Sequence, residues 1–211
     1  MDFTSTDQFT SMTSGLDPDQ RTAKRFTSLI RAAKLISVHG EFVCVIRDVS
    51  STGISLRTFH EIPSGSTLEL ELQNGETFGL RKVRGQGREA SFTFGSQVAV
   101  ERLINETWNY PKRQLRLNMT IPLTIRTLTG TFDAMSLNLS QQGARVECDG
   151  KLAIDQSVRL EGELMPEVRA KVRWRKQDVY GLVFDTTFTL REFAILAATI
   201  QCPLLVTGDN S

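Results

Sequence analysis

The sequence predicts a mainly β protein, two consecutive small antiparallel β-barrels, each followed by a C-terminal helix. Three observations predict it. Short apolar segments are broken by turn residues at intervals of roughly 8–12 residues, the spacing of a small antiparallel barrel. The pattern recurs at an offset of 90 residues within a chain of 211, and a shared period of this kind marks duplicated modules. Each set of strand-like segments then gives way to apolar spacing of helical period.

Residues 1–20 are rich in Ser, Thr and Gly, carry Asp2, Asp7, Asp17 and Asp19, and contain no Lys or Arg. They read as a flexible N-terminal arm. The character reverses at Arg21, with Lys24, Arg25, Arg31 and Lys34 following and no acid before Glu41. That run is expected to attract an anion, or the acidic arm itself. From Leu35 onward, strands are predicted over 41–49, 54–57, 66–72, 78–83 and 90–94. Ser64-Gly65, Asn74-Gly75 and Gly85-Gln86-Gly87 supply the turns between them. Residues 98–108 read as a helix, and Asn109-Tyr110-Pro111 as the boundary, because proline disfavours continuation of a helix.

The second copy follows in register. Gly40, Phe42, Ser50, Gly53, Leu70 and Phe94 align with Gly130, Phe132, Ser140, Gly143, Leu160 and Phe184. Asp48 meets Asn138, and Leu103 meets Phe193. The closing helix is signalled by Thr189 and Glu192 as a capping box, with Phe188 and Phe193 as its hydrophobic staple. Its apolar face of Phe193, Leu196, Ala197 and Ile200 is expected to pack on its own domain, the alternative being a dimer or partner interface. The predicted organisation is an arm over 1–20, domains over 21–108 and 110–201, and a tail over 202–211.

Bulk composition narrows the function. With 40% apolar residues, 23% charged residues and a net charge of +1, no overall basic excess points to DNA or a membrane surface. Three cysteines, Cys44, Cys148 and Cys202, without CxxC spacing suggest neither a disulfide framework nor a zinc site. The N-terminal residues lack the pattern of a signal peptide, and no apolar run is long enough to span a bilayer, so a cytoplasmic location is expected. His39 and His60 have no nucleophile or metal-ligand context, and Glu69-Leu70-Glu71 reads as an exposed strand face, so no catalysis is expected. Trp108 and Trp174 read as core or interface aromatics.

The chemistry lies in two short motifs. Arg21-x-x-x-Arg25 is followed, after a strand and a turn, by Asp48-x-Ser50-x-x-Gly53. In this order and spacing the sequence resembles the PilZ family of cyclic di-GMP receptors. The resemblance covers roughly residues 21–108 and 110–201, supported by Val172-x-Trp174 and Gly181-x-x-Phe184. It implies that the turn residues contact a cyclic dinucleotide. The residue types suit that ligand. A planar guanidinium, from Arg21 or Arg25, engages both O6 and N7 of guanine, stacks on its face, or pairs with phosphate. Asp48 accepts from the N1–H and N2–H groups of guanine and is the candidate for base discrimination. Ser50 brings a hydroxyl to the turn, and Gly53 permits positive φ or close approach of the ligand.

The second module keeps the framework and alters the cations. Lys112-Arg113-Gln114-Leu115-Arg116 puts lysine where the first arginine stands, with Arg113 adjacent as a substitute. The turn is Asn138-x-Ser140-x-x-Gly143, and the spacing from the later arginine to the aligned glycine is one residue shorter. Lysine lacks the fork and the stacking face, so this site is expected to bind weakly or to serve packing and output. The leading expectation is therefore a bacterial cyclic di-GMP receptor acting on a downstream protein, with a homodimer possible. The family's outputs are motility, surface polysaccharide and biofilm control. A ligand-independent interaction scaffold is the alternative. An RNA-binding barrel is disfavoured, because no basic stripe interleaved with aromatics crosses either sheet.

Overall fold

A computed structural model describes residues 26–65, 67–104 and 114–207. The first module comprises β1 (Phe26–Ser37), β2 (Gly40–Val49), β3 (Gly53–Thr58), β4 (Thr67–Glu71), β5 (Thr77–Gln86) and β6 (Glu89–Phe94), followed by α1 (Val100–Ile104). The strands close in the order β1-β2-β3-β6-β5-β4, all neighbours antiparallel. Alternation sets the inside of the barrel: Ile54 and Leu56, Leu68 and Leu70, Phe78 and Leu80, and Ala90 and Phe92 are buried, while their neighbours face outward. The predicted turns at Ser64-Gly65 and Asn74-Gly75 hold, while the third is shorter than expected, since Gly85 and Gln86 belong to β5 and only Gly87 turns the chain, with Arg88. Gly65, Gly75 and Gly87 lie in the positive-φ region that glycine adopts without a steric penalty.

β1 is the element the sequence reading missed. It runs 12 residues and begins nine positions before Leu35, where the strand pattern was expected to start. Its two cations disguised it, and the fold uses both. Arg31 donates to the carbonyls of Leu103 (3.0 Å) and Ile104 (2.8 Å), satisfying the end of α1. Lys34, only 4% exposed, pairs with Glu41 at 3.0 Å and Glu71 at 3.2 Å. Part of the basic run is thus consumed by structure.

The second module repeats the architecture. β7 (Arg116–Leu117) and β8 (Pro122–Arg126) together stand where β1 stands in the first module. They are followed by β9 (Thr131–Ser140), β10 (Gly143–Cys148), β11 (Ser157–Gly162), β12 (Met165–Lys176), β13 (Val179–Phe184), α2 (Leu190–Gln201) and α3 (Leu204–Thr207). The ring β9-β10-β13-β12-β11-β8 closes through the β8–β9 ladder, and β7 adds at the edge of β9. The missing residue between Arg116 and Gly130 is located by the ladders. β1 changes register against β2 between Thr27 and Arg31 without leaving the sheet, whereas the second copy breaks between Leu117 and Pro122.

α2 is capped as predicted: Glu192 N–H donates to Thr189 Oγ1, and Thr189 N–H donates to the Glu192 carboxylate. The helix covers more than its own barrel. Its buried residues are Phe193, Ala194, Ala197 and Ala198, it packs against β2, and Val43 of that strand joins the second module's core. The face is thus rotated from the expected one, and Leu196 is only half-buried. Glu41 ties the two modules. Its backbone N–H donates to Gln201 Oε1 (2.9 Å), its carbonyl accepts from Gln201 Nε2 (2.6 Å), and its carboxylate accepts from Asn118 N (2.6 Å) and Nδ2 (2.8 Å). Gly40 has φ +128°, and the Gln201 side chain fills the space that a Cβ there would need.

Candidate functional site

Asp48 closes the β2 side of a cleft on the outer surface of the first barrel, and Ser50 and Gly53 form the adjoining turn. Ser50 N–H donates to Gly53 O (2.8 Å), and Gly53 N–H donates to Ser50 Oγ (3.1 Å). The hydroxyl is therefore first a staple of the turn. Gly53 does not have positive φ. Glycine is required because a Cβ there would lie 2.8 Å from the backbone O of Phe92, a close approach to β6. The second module repeats this. Ser140 Oγ donates to Gly143 O (3.1 Å), and a Cβ on Gly143 would collide with the backbone O of Leu182.

The ladders place Asp48 at the head of a transverse row of outward residues. Asp48 pairs with Ser55, Ser55 with Ser91, and Ser91 with Arg84, crossing β2, β3, β6 and β5 in one line. Four strands at about 4.8 Å spacing make a strip roughly 14 Å long. A bulge sits at each end, at Arg47 between Ile46 and Asp48 and at Val83 between Lys82 and Arg84. Bulges re-aim side chains and occur beside functional sites. Over this row lies a cleft of about 510 Å³, lined by Arg47, Asp48, Ser55, Arg84, Gln86 and Glu89, among others. The Ser55 and Ser91 hydroxyls are 3.3 Å apart on its floor. Glu89 faces Arg57 at 3.7 Å. No ion pair involves Arg47 or Arg84 among the described residues.

The same row in the second module reads Asn138, Arg145, Gly181 and Trp174, again with a bulge at each end, at Leu137 and Arg173. Trp174 is 40% exposed and lies against Gly181, whose hydrogen leaves the room that the indole takes. It is thus a surface aromatic and no part of the core. The β7–β9 ladder sets Arg116 opposite Ser140, with Gln114, Arg116 and Asn118 outward and Leu115, Leu117 and Met119 inward. This arginine stands on a strand, beside the turn. Arg21, Arg25, Lys112 and Arg113 lie outside the described residues. The sequence reading missed Arg47, Arg84 and Arg145, and the signal that finds them is strand register, which no linear motif carries.

A larger groove of about 1040 Å³ lies between the modules, lined by Phe59, Phe188, Leu196 and Leu205 among others, and it contains none of the motif residues. Among the described residues, no group of His, Cys, Asp and Glu has the arrangement of a metal site, and no helix is long and apolar enough to cross a membrane.

Residues 111–201 match the family model of the PilZ domain, so a PilZ domain is present in the second half of the chain. No curated protein matches. Among solved structures, the chain is similar to the PlzA protein of Borreliella burgdorferi in complex with c-di-GMP, at 10% identity and TM-score 0.35, covering 82% of this chain and 88% of that one. It is also similar to the Bacillus subtilis inhibitor of motility (MotI/DgrA), at 15% identity and TM-score 0.35, covering 87% and 99%. The PilZ domain of CeSA from a cellulose-synthesizing bacterium matches at 19% identity and TM-score 0.32, covering 41% and 94%.

Proposed function

We propose that this chain is a bacterial, cytoplasmic cyclic di-GMP receptor and not an enzyme, built as two PilZ-like modules, of which the first binds the dinucleotide more tightly. The observation that supports the reading is the strand register that pairs Arg116 with Ser140, so that the motif's later arginine is a sheet neighbour of the Asn138-Ser140-Gly143 turn. The family match over 111–201 supports it. In the first module, Arg21 and Arg25 would grip bases and phosphates, while Asp48 accepts the N1–H and N2–H donors of guanine. The second module offers Arg116, Asn138, Ser140 and Gly143, with Lys112 or Arg113 as its other cation. An amide at Asn138 accepts less strongly than a carboxylate, which ranks this site second. The output would be an altered contact with a downstream protein.

Calorimetric titration of the full chain tests the reading. Cyclic di-GMP is expected to bind at micromolar concentration or tighter, with GTP, GMP and cyclic di-AMP far weaker. Arg21→Ala and Arg25→Ala should each weaken binding by more than the roughly 0–1 kcal/mol of an exposed ion pair, and Asp48→Ala should relax guanine selectivity. Absence of heat at high ligand concentration would refute the receptor and favour a ligand-independent scaffold.

A further inference from the structure

We infer that Arg47 and Arg84 form an additional anion-binding pair of the first module, facing the dinucleotide's phosphates, which the second module lacks. The inference rests on the cyclic di-GMP reading above and goes beyond its two motifs. Both arginines line the cleft that contains Asp48. Both are exposed, and neither makes an ion pair among the described residues. Each is positioned by a bulge. Arg47 is itself the extra residue beside Asp48, and Arg84 directly follows the extra residue Val83 at the far end of the row. The cleft's acids are Asp48 and Glu89. With Asp48 engaged by guanine donors and Glu89 facing Arg57, both guanidiniums are left to join Arg21 and Arg25 in meeting the ligand's two negative charges.

At the offset of 90 residues, Arg47 becomes Leu137 and Arg84 becomes Trp174. The bulges recur in both modules, but the rows differ in their side chains, and Arg145 stands in the second where Ser55 stands in the first. A guanidinium at each end of the row is thus peculiar to the first module, where the second has Arg145 within the row, and the first module's affinity falls steeply with added salt, since ionic attraction at an open cleft is screened.

The test is calorimetric titration of the full chain with cyclic di-GMP, in an Arg116→Ala, Asn138→Ala background so that the heat reports the first module. Measurements run from about 50 to 500 mM salt, the range over which the screening length falls from roughly 14 Å to 4 Å. Arg47→Ala and Arg84→Ala are each expected to weaken binding by about tenfold, and the double variant to flatten the salt dependence. Arg81→Ala removes the same charge from β5 outside the cleft and should bind like the background chain. Full affinity and an unchanged salt slope in the double variant would overturn the inference while leaving the receptor reading intact. No binding by the unmodified chain would overturn both.

Discussion

Single residues show where chemistry and scaffold divide. Ser50 and Gly53 were legible as a turn, but what glycine avoids there is the backbone of β6, and this was not, because the partner lies 39 positions away in sequence. A backbone carbonyl cannot swing aside as a side chain can. Gly53→Ala and Gly143→Ala are therefore expected to destabilise the fold by about 1–3 kcal/mol, the range for overpacking, read as a lower melting temperature without ligand. His60 gives a second residue-scale prediction. Its ring is buried, Nδ1 lies 2.6 Å from the Glu61 carbonyl, and Nε2 has no hydrogen-bond partner among the described residues. Burial, with Arg88 nearby, lowers its pKa below the ordinary 6.5. The unfolded chain then binds this proton at a higher pH than the folded chain does. Stability is thus fully present above about 6.5 and falls as pH drops below it. Chemical denaturation from pH 8 to 5 should show this loss, and His60→Gln should reduce it.

At the level of elements, the sequence was most informative where local chemistry decides structure. The turns at Gly65 and Gly75 and the Thr189–Glu192 box folded as read, because each is satisfied within a few residues. β1 and the bulges at Arg47, Val83, Leu137 and Arg173 were not legible, because they depend on which strand lies alongside. Lys34 looks like a surface charge until β2 and β4 bring Glu41 and Glu71 to it. The α2 cap makes a direct prediction. Thr189→Ala removes the acceptor of the Glu192 N–H and should cost about 1 kcal/mol. Thr189 also holds the Glu192 carboxyl below its ordinary pKa. The carboxylate half of the cap, held first by the Thr189 backbone N–H, is therefore present above the ordinary carboxylate range and lost as pH falls through the depressed value. Thr189→Ala keeps that N–H, so the pH-dependent half is read with Glu192→Ala, whose difference in stability from the parent should shrink below about pH 4.

For the whole molecule, the duplication was plain from sequence, yet the way the copies join was not. A pattern of two similar modules suggests two independent domains. Instead, α2 closes the second core against β2, Val43 crosses into that core, and α3 reaches the first barrel, where Glu61 N–H donates to Leu205 O at 2.9 Å. The face read as packing on its own domain is shared between both. Asn118, two residues beyond the candidate ligand contact Arg116, bonds to Glu41, so the second module's candidate site and the joint share one short stretch of chain. This arrangement predicts a single cooperative unfolding transition for the parent chain. Gln201→Ala with Asn118→Ala removes the side-chain bonds across the joint while leaving Lys34 its partners Glu41 and Glu71. At about 1 kcal/mol for each bond lost, the double variant should destabilise the second module's attachment by roughly 2–3 kcal/mol. In scanning calorimetry its endotherm should broaden or split into two. A sharp single transition at the parent's temperature would mean that the apolar contact of α2 with β2 holds the modules together without these bonds.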